Sequence, residues 1–238
     1  MNKRPKQPYI DRSEKELLRR PISESLSTPS KSNIRLSSAI ERTKCLLLKN
    51  GVSSLSPQFY FSDDWFCLEG SRDVAIPFYL ADERLLTVAR KFKISTDVRY
   101  SLHKYLLHEC GHAFFHAYNV GKDSTFIKLF GKADRYNVGG KFSSAYDKTH
   151  YVNVLHPGYA RCHPEEDFAE TFAYVMLNSQ IAPAGKRSVI EKKMDFIREL
   201  ILRFGSKKIP KSKKRFRAMD LRRAKIRTDE LLERMSRI

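Results

Sequence analysis

Apolar positions along this 238-residue chain fall into blocks whose spacing switches between helical and strand-like periods. Residues 1–37 are rich in Ser, Pro and basic residues, with only 14–20 offering a turn or two of helix, and they read as a flexible basic arm. Over 38–50 the positions of Ala39, Ile40, Cys45, Leu46 and Leu47 suit an amphipathic helix, stopped by Asn50-Gly51 at a left-handed cap. Residues 58–68 and 73–80 are aromatic or β-branched and are separated by Glu69-Gly70-Ser71-Arg72, which predicts two strands and a turn. Val74, Ile76, Phe78 and Leu80 alternate, predicting one buried face, and Pro77 points to an edge position where an extended peptide could add itself to the sheet.

A short helix is expected over 82–92, and Ser95-Thr96-Asp97 caps a longer one over 98–119 that Gly121 closes. Gly111 inside it costs roughly 1 kcal/mol relative to Ala, so a neighbouring element or a substrate should need its missing side chain. Residues 120–158 are loop-rich around Gly131, Gly139 and Gly140, with a helical turn at 124–130. The next helix spans 165–177: Pro164 precedes it, Glu165, Glu166 and Asp167 fill the first turn where the helix dipole favours them, and Phe168, Phe172 and Val175 form a stripe. After Pro183-Ala184-Gly185, residues 189–204 repeat the amphipathic pattern through Ile190, Met194, Ile197 and Ile201. A charged helix is expected over 219–238, beyond the basic linker 207–217. There is no internal repeat; strands and helices together make the chain α+β, and the apolar set of the 98–119 helix is expected to face the sheet. The predicted organisation is a basic arm (1–37), one main domain (38–206) and a basic helical extension (207–238).

The formal charge is +18, and residues 186–238 hold 19 Lys and Arg against 7 Asp and Glu, so +12 of it lies in that segment. The run 211–227, with Phe216 its aromatic, has the density of Lys and Arg that supports salt-sensitive contact with nucleic acid or an acidic partner, but a solvated, partly helical extension is the simpler reading of the tail. Cys45, Cys67, Cys110 and Cys162 form no CxxC pair, which argues against a zinc ribbon or a disulfide-stapled secreted domain and favours a reducing compartment. The amino terminus lacks an apolar run of signal-peptide length and Leu46-Leu47-Leu48 is too short to span a bilayer, so a cytoplasmic protein without a membrane partner is expected.

The chemistry concentrates in His108-Glu109-Cys110-Gly111-His112. Two histidines four apart on a helix project from one face and can reach one metal ion, and Glu109 stands where a carboxylate can take a proton from water. A hydrolytic zinc site needs a third protein ligand, and Glu166 and Glu170, also four apart on a helix, supply two carboxylates on one face. One could ligate the ion and the other could hold a ligating imidazole. Phe168, Ala169, Phe172 and Ala173 interleave with them, so both carboxylates point towards a core and call for a cation. Glu170 competes with Glu166 as third ligand, as do His150, His156 and His163. His116 would stand about 12 Å along the axis from His108, too far to join the same ion, and is expected to pack or lie at the surface, as is His103. Cys110 suits a small buried thiol and Glu165 a first-turn charge.

Together, His108-Glu-Cys-Gly-His112 and Tyr159-Ala-Arg-Cys-His-Pro-Glu-Glu166-Asp-Phe-Ala-Glu170-Thr-Phe-Ala173 resemble the bacterial zinc-binding metallopeptidases of the gluzincin type. The resemblance runs over about 58–180. More distantly the segment is similar to the lethal-factor catalytic domain, in which a tyrosine stands seven residues ahead of the ligating glutamate, as Tyr159 stands ahead of Glu166. The resemblance implies an α+β zincin-like domain, with a small mixed sheet packed on the HExxH helix, and one catalytic zinc. It implies His108, His112 and Glu166 as ligands, Glu109 as general base, Glu170 as support, Tyr159 as donor to a developing oxyanion, and a peptide or protein substrate. The arm and the basic tail have no counterpart in it. Two rivals are a nucleic-acid-associated zinc protein, either a SprT-like protease or a non-catalytic binder, and a structural zinc domain, which would leave Glu109 and Tyr159 without a task.

Overall fold

The computed structural model describes residues 31–62, 65–67, 72–77, 80, 86, 102–133, 151–152, 154–155, 158–178 and 188–209. Helix α1 (Lys31–Lys49) begins seven residues before the expected start at Ser38. The reason is visible in Leu36, which is fully buried and extends the stripe of Ala39, Ile40 and Leu47 one turn towards the amino terminus. Cys45, expected on the apolar face, is exposed. The helix ends as predicted at Gly51, with φ +83°. Gly51 N–H donates to Leu48 O and Val52 N–H to Leu47 O, the paired bonds of a Schellman cap.

The two predicted strands are three. Strands β1 (Phe59–Ser62) and β2 (Phe66–Cys67) both come from the first segment, and β3 (Val74–Pro77) is the second. The sheet order is β1-β3-β2, with β1 parallel and β2 antiparallel to β3. This corrects the edge assignment: β3 is central, flanked on both sides, and all four of its residues are buried. Pro77 is tolerated because it is the last residue of the strand, where the ladder stops. Edge addition of a peptide to β3 is therefore closed, and the period-2 reading fails because both faces are covered.

Helix α2 (Leu102–Ala117) carries the two histidines and is buried on all sides from Tyr105 to Phe115. It lies among α1, β2, β3 and the later helix α4. The helix expected over 82–92 and the cap at 95–97 lie outside the described residues, Leu86 apart. Helix α3 (Ser124–Phe130) falls on the predicted turn, and Asp123 caps it by accepting the N–H groups of Thr125 and Phe126 at 2.7 and 3.3 Å. Helix α4 (Pro164–Leu177) starts with proline in its first turn and three acidic residues, as expected. Helix α5 (Val189–Phe204) has the predicted bounds, and Ser188 and Glu191 close its amino end as a capping box. The helix expected over 219–238 lies outside the described residues.

An aromatic core joins α2 through α5. Phe114, Phe126, Phe130, Phe168 and Phe172 are each at most 2 % exposed, and ring centroids 5.1 to 6.4 Å apart link Phe115, Phe126, Phe130, Phe168, Phe172 and Phe196. Within it, the buried Lys193 of α5 donates to Asp167 of α4 at 2.5 Å and lies over the rings of Phe130 and Tyr151. Burial pushes the Asp167 carboxyl up to about 6, against the pull of Lys193. This pair docks α5 on the back of the helix that presents Glu166 and Glu170. Among the described residues, no helix is long and apolar enough to cross a membrane.

Candidate metal centre

The site is set by how closely α2 and α4 approach. A Cβ on Gly111 would stand 2.8 Å from Ala169 Cα and 3.2 Å from Ala169 O, so only glycine lets the two backbones meet. The sequence expectation of a close neighbour at Gly111 is borne out, and the neighbour is α4. At that crossing His108 and His112 face Glu166. His108 Nε2 lies 3.1 Å from His112 Nε2 and 3.0 Å from Glu166 Oε2, and His112 Nε2 lies 3.3 Å from the same oxygen. All three side chains are buried, and among the described residues they form the group of donor atoms close enough to share a metal ion.

The donor set fits zinc. With zinc–nitrogen and zinc–oxygen bonds of about 2.0–2.1 Å, neighbouring ligand atoms of a tetrahedron are about 3.3–3.4 Å apart, close to the three separations seen here. Two imidazole nitrogens facing each other across 3.1 Å and a carboxylate, all out of water, make a pocket of lone pairs for which a divalent cation is the natural partner.

The outer nitrogens of the two rings each meet a carboxylate of α4. His108 Nδ1 lies 3.0 Å from Glu170 Oε1, a contact of charge set off the in-line direction of a hydrogen bond. The other oxygen of Glu170 accepts the N–H groups of Val154 and Leu155, at 2.5 and 3.1 Å, so this fully buried carboxylate also holds the 154–155 backbone. His112 Nδ1 lies 2.9 Å from Glu165 Oε1, and His116 Nε2 lies 2.9 Å from the same oxygen. Glu165 is thus no free first-turn charge. Burial alone would raise its pKa, but the hydrogen bonds with His112 and His116 hold the carboxyl down to about 2. A proton on each Nδ1 leaves the Nε2 lone pairs turned inward.

Glu109 is buried on α2, and its charge reaches His108, His112 and Tyr159. Tyr159 opens a 3-10 turn (Tyr159–Arg161) entered through Gly158 at φ +86°. Its ring centroid lies 5.6 Å from that of His108, and the residue remains 38 % exposed. Burial of the phenol, with Glu166 and Glu109 nearby, pushes its pKa well above the ordinary value, so it stays a proton donor. His163 caps α4 by accepting Glu165 N–H at 3.2 Å, and His150 and His156 lie outside the described residues. His116 stays out of the cluster, as its spacing predicts, yet it faces Glu165. His103 and Cys110 are buried, and burial pushes the Cys110 thiol up.

Protons and a metal compete for these rings. Burial alone would lower the pKa of His108, but the facing carboxylates of Glu166 and Glu170 outweigh it and raise it to about 9; His112 is raised well above its ordinary value, mainly by Glu166 and Glu165. In chelator-stripped protein the raised His108 pKa stabilises the fold fully below about pH 6.5, and that contribution is lost as pH rises towards 9. Metal binding displaces the protons, so apparent zinc affinity should climb roughly tenfold per pH unit for each imidazolium displaced, the His108 share of the rise levelling off near pH 9. Chelator competition at several pH values measures this, and a pH-independent affinity would contradict it.

A family model described as "Putative zinc-binding metallo-peptidase" matches residues 81–221, more than half of the chain, and covers α2 through α5. No curated protein and no solved structure matches the chain.

Proposed function

We propose, from the premise that the chain belongs to this zinc-binding metallopeptidase family, that it hydrolyses peptide bonds with one catalytic zinc held by His108, His112 and Glu166. The observation that carries the reading is the triangle of donor atoms, with edges of 3.0, 3.1 and 3.3 Å, at the crossing of α2 and α4. When bound, zinc supplies a Lewis acid that acidifies water and polarises a carbonyl. Glu109 takes the proton from the attacking water and returns it to the leaving nitrogen. Tyr159, kept protonated, donates to the oxyanion that develops on the scissile carbonyl. Glu170 holds His108 from behind.

The same reading makes the fold a gluzincin-type zincin domain over 38–206, in the cytoplasm, acting on a peptide or protein substrate. The basic segment 207–238, most of it outside the described residues, is its contact for nucleic acid or another acidic partner.

Zinc analysis and peptide hydrolysis test the core of this. Wild-type protein should hold one zinc per chain, and Glu166→Ala should bind zinc more than about 100-fold more weakly, beyond the range expected for losing a supporting group. A wild type without zinc, or a Glu166→Ala variant that binds it as tightly, would overturn the ligand set. Tyr159→Phe should retain zinc and lose turnover by about 10²–10³-fold, the scale of one oxyanion donor. Release of zinc by that change would undo the role given to the phenol.

A further inference from the structure

Glu165 is the carboxylate the motif does not account for. It stands next to Glu166 in the first turn of α4, its side chain is 12 % exposed, and one oxygen takes both His112 Nδ1 and His116 Nε2 at 2.9 Å. Its backbone is pinned as well, because Glu165 N–H donates to His163 Nδ1. A first-turn charge serving only the helix dipole would need neither burial nor imidazole partners. Helix α4 therefore sets a carboxylate behind each ring of α2, Glu170 in charge contact with His108 and Glu165 in a hydrogen bond with His112, with Glu166 between them on the inner side.

We infer that Glu165 and His116 form a positioning pair for His112: the Glu165 carboxylate fixes the orientation and tautomer of the His112 ring, and His116, one turn further along α2, fixes the carboxylate. This rests on the ligand role of His112 proposed above. An imidazole aimed by a second carboxylate binds metal more tightly, and losing such a partner typically costs 10- to 100-fold in affinity. His116, excluded from the ion by its distance along the helix, acts only through Glu165.

The test uses the full chain and zinc alone. Glu165→Ala should weaken zinc binding by about 10- to 100-fold in chelator competition, while Glu165→Gln, whose amide oxygen can still accept from Nδ1–H without the charge, should fall between it and wild type. His116→Gln should weaken binding less than Glu165→Ala and add nothing to it in the double variant. Proton NMR should show the hydrogen-bonded Nδ1–H of His112 in wild type and lose it in Glu165→Ala, with the carbon-bound ring protons of His108 unshifted. Unchanged zinc affinity and an unchanged His112 N–H signal in a folded Glu165→Ala protein would overturn the inference, as would a lowered melting temperature with full affinity. So would an additive effect of His116→Gln. Should Glu165→Ala not fold, the near-isosteric Glu165→Gln and His116→Gln carry the same readouts. The NMR signal needs no metal, so a wild type that binds no zinc defeats the proposed ligand set, whereas a His112 N–H indifferent to Glu165 defeats this pair.

Discussion

Replacing Glu109 by Gln should leave zinc content unchanged and lower peptide hydrolysis by roughly 10²–10⁴-fold, the range contributed by a positioned general base. The substitution keeps the size and shape of a side chain that is 6 % exposed, so the packing of α2 has no reason to change. It removes the ability to accept a proton, together with the negative charge that reaches His108, His112 and Tyr159. Glu109 is not among the three donors that converge, which lie on His108, His112 and Glu166. Metal analysis and initial rates on an unfolded protein substrate separate the outcomes. Loss of zinc would mean that Glu109 helps to build the site, and an unchanged rate would mean that the proton goes elsewhere; either result would remove the mechanism proposed here.

Gly111→Ala should be nearly as damaging, by a different route. The new methyl would meet Ala169 Cα at 2.8 Å, Ala169 O at 3.2 Å and Ala169 Cβ at 3.3 Å, and backbone atoms cannot rotate aside. The helices must part by several tenths of an ångström. Overpacking of this kind costs about 1–3 kcal/mol, against which the better helix propensity of Ala returns up to about 1 kcal/mol. The larger effect falls on the metal centre, because its donors straddle the gap between the two helices. A drop in zinc affinity of at least about tenfold is expected, alongside the loss of stability. Zinc titration with urea unfolding of the stripped protein measures both, and an Ala variant as stable and as tight-binding as wild type would show that the helices do not depend on this contact.

Most of what was legible in the sequence is local. The HExxH spacing, the two glutamates interleaved with buried Phe168 and Phe172, the cap at Gly51 and the bounds of α5 each follow from short-range periodicity, and each is found in the structure. Gly111 was readable as a close approach, although its partner, 58 residues away, was not. What escaped depends on pairings between distant segments. The parallel ladder of β1 on β3 has no signature in either strand, so β3 with its Pro77 looked like an edge when it is the centre. Glu165 carries the commonest meaning an acidic residue can have at that place, a charge at a helix amino end. Its partners His112 and His116 become visible only when α2 lies alongside. A second glutamate beside a proposed ligand, on a helix whose other face is aromatic, was the available signal.

The buried carboxylate of Glu170 has a consequence for how the chain can vary. Among the described residues its two oxygens face the Nδ1 side of His108 on one, and the backbone N–H groups of Val154 and Leu155 on the other. A glutamine of the same shape offers one acceptor and one donor, and whichever way its amide is flipped, an N–H is set against an N–H. With the amide nitrogen towards His108, the ring is pushed to the opposite tautomer and carries its proton on the nitrogen that faces Glu166. With it towards the backbone, two buried amides lose their acceptor. The position thus accepts no isostere, and the 154–155 backbone and the His108 ring share one anion as their common anchor.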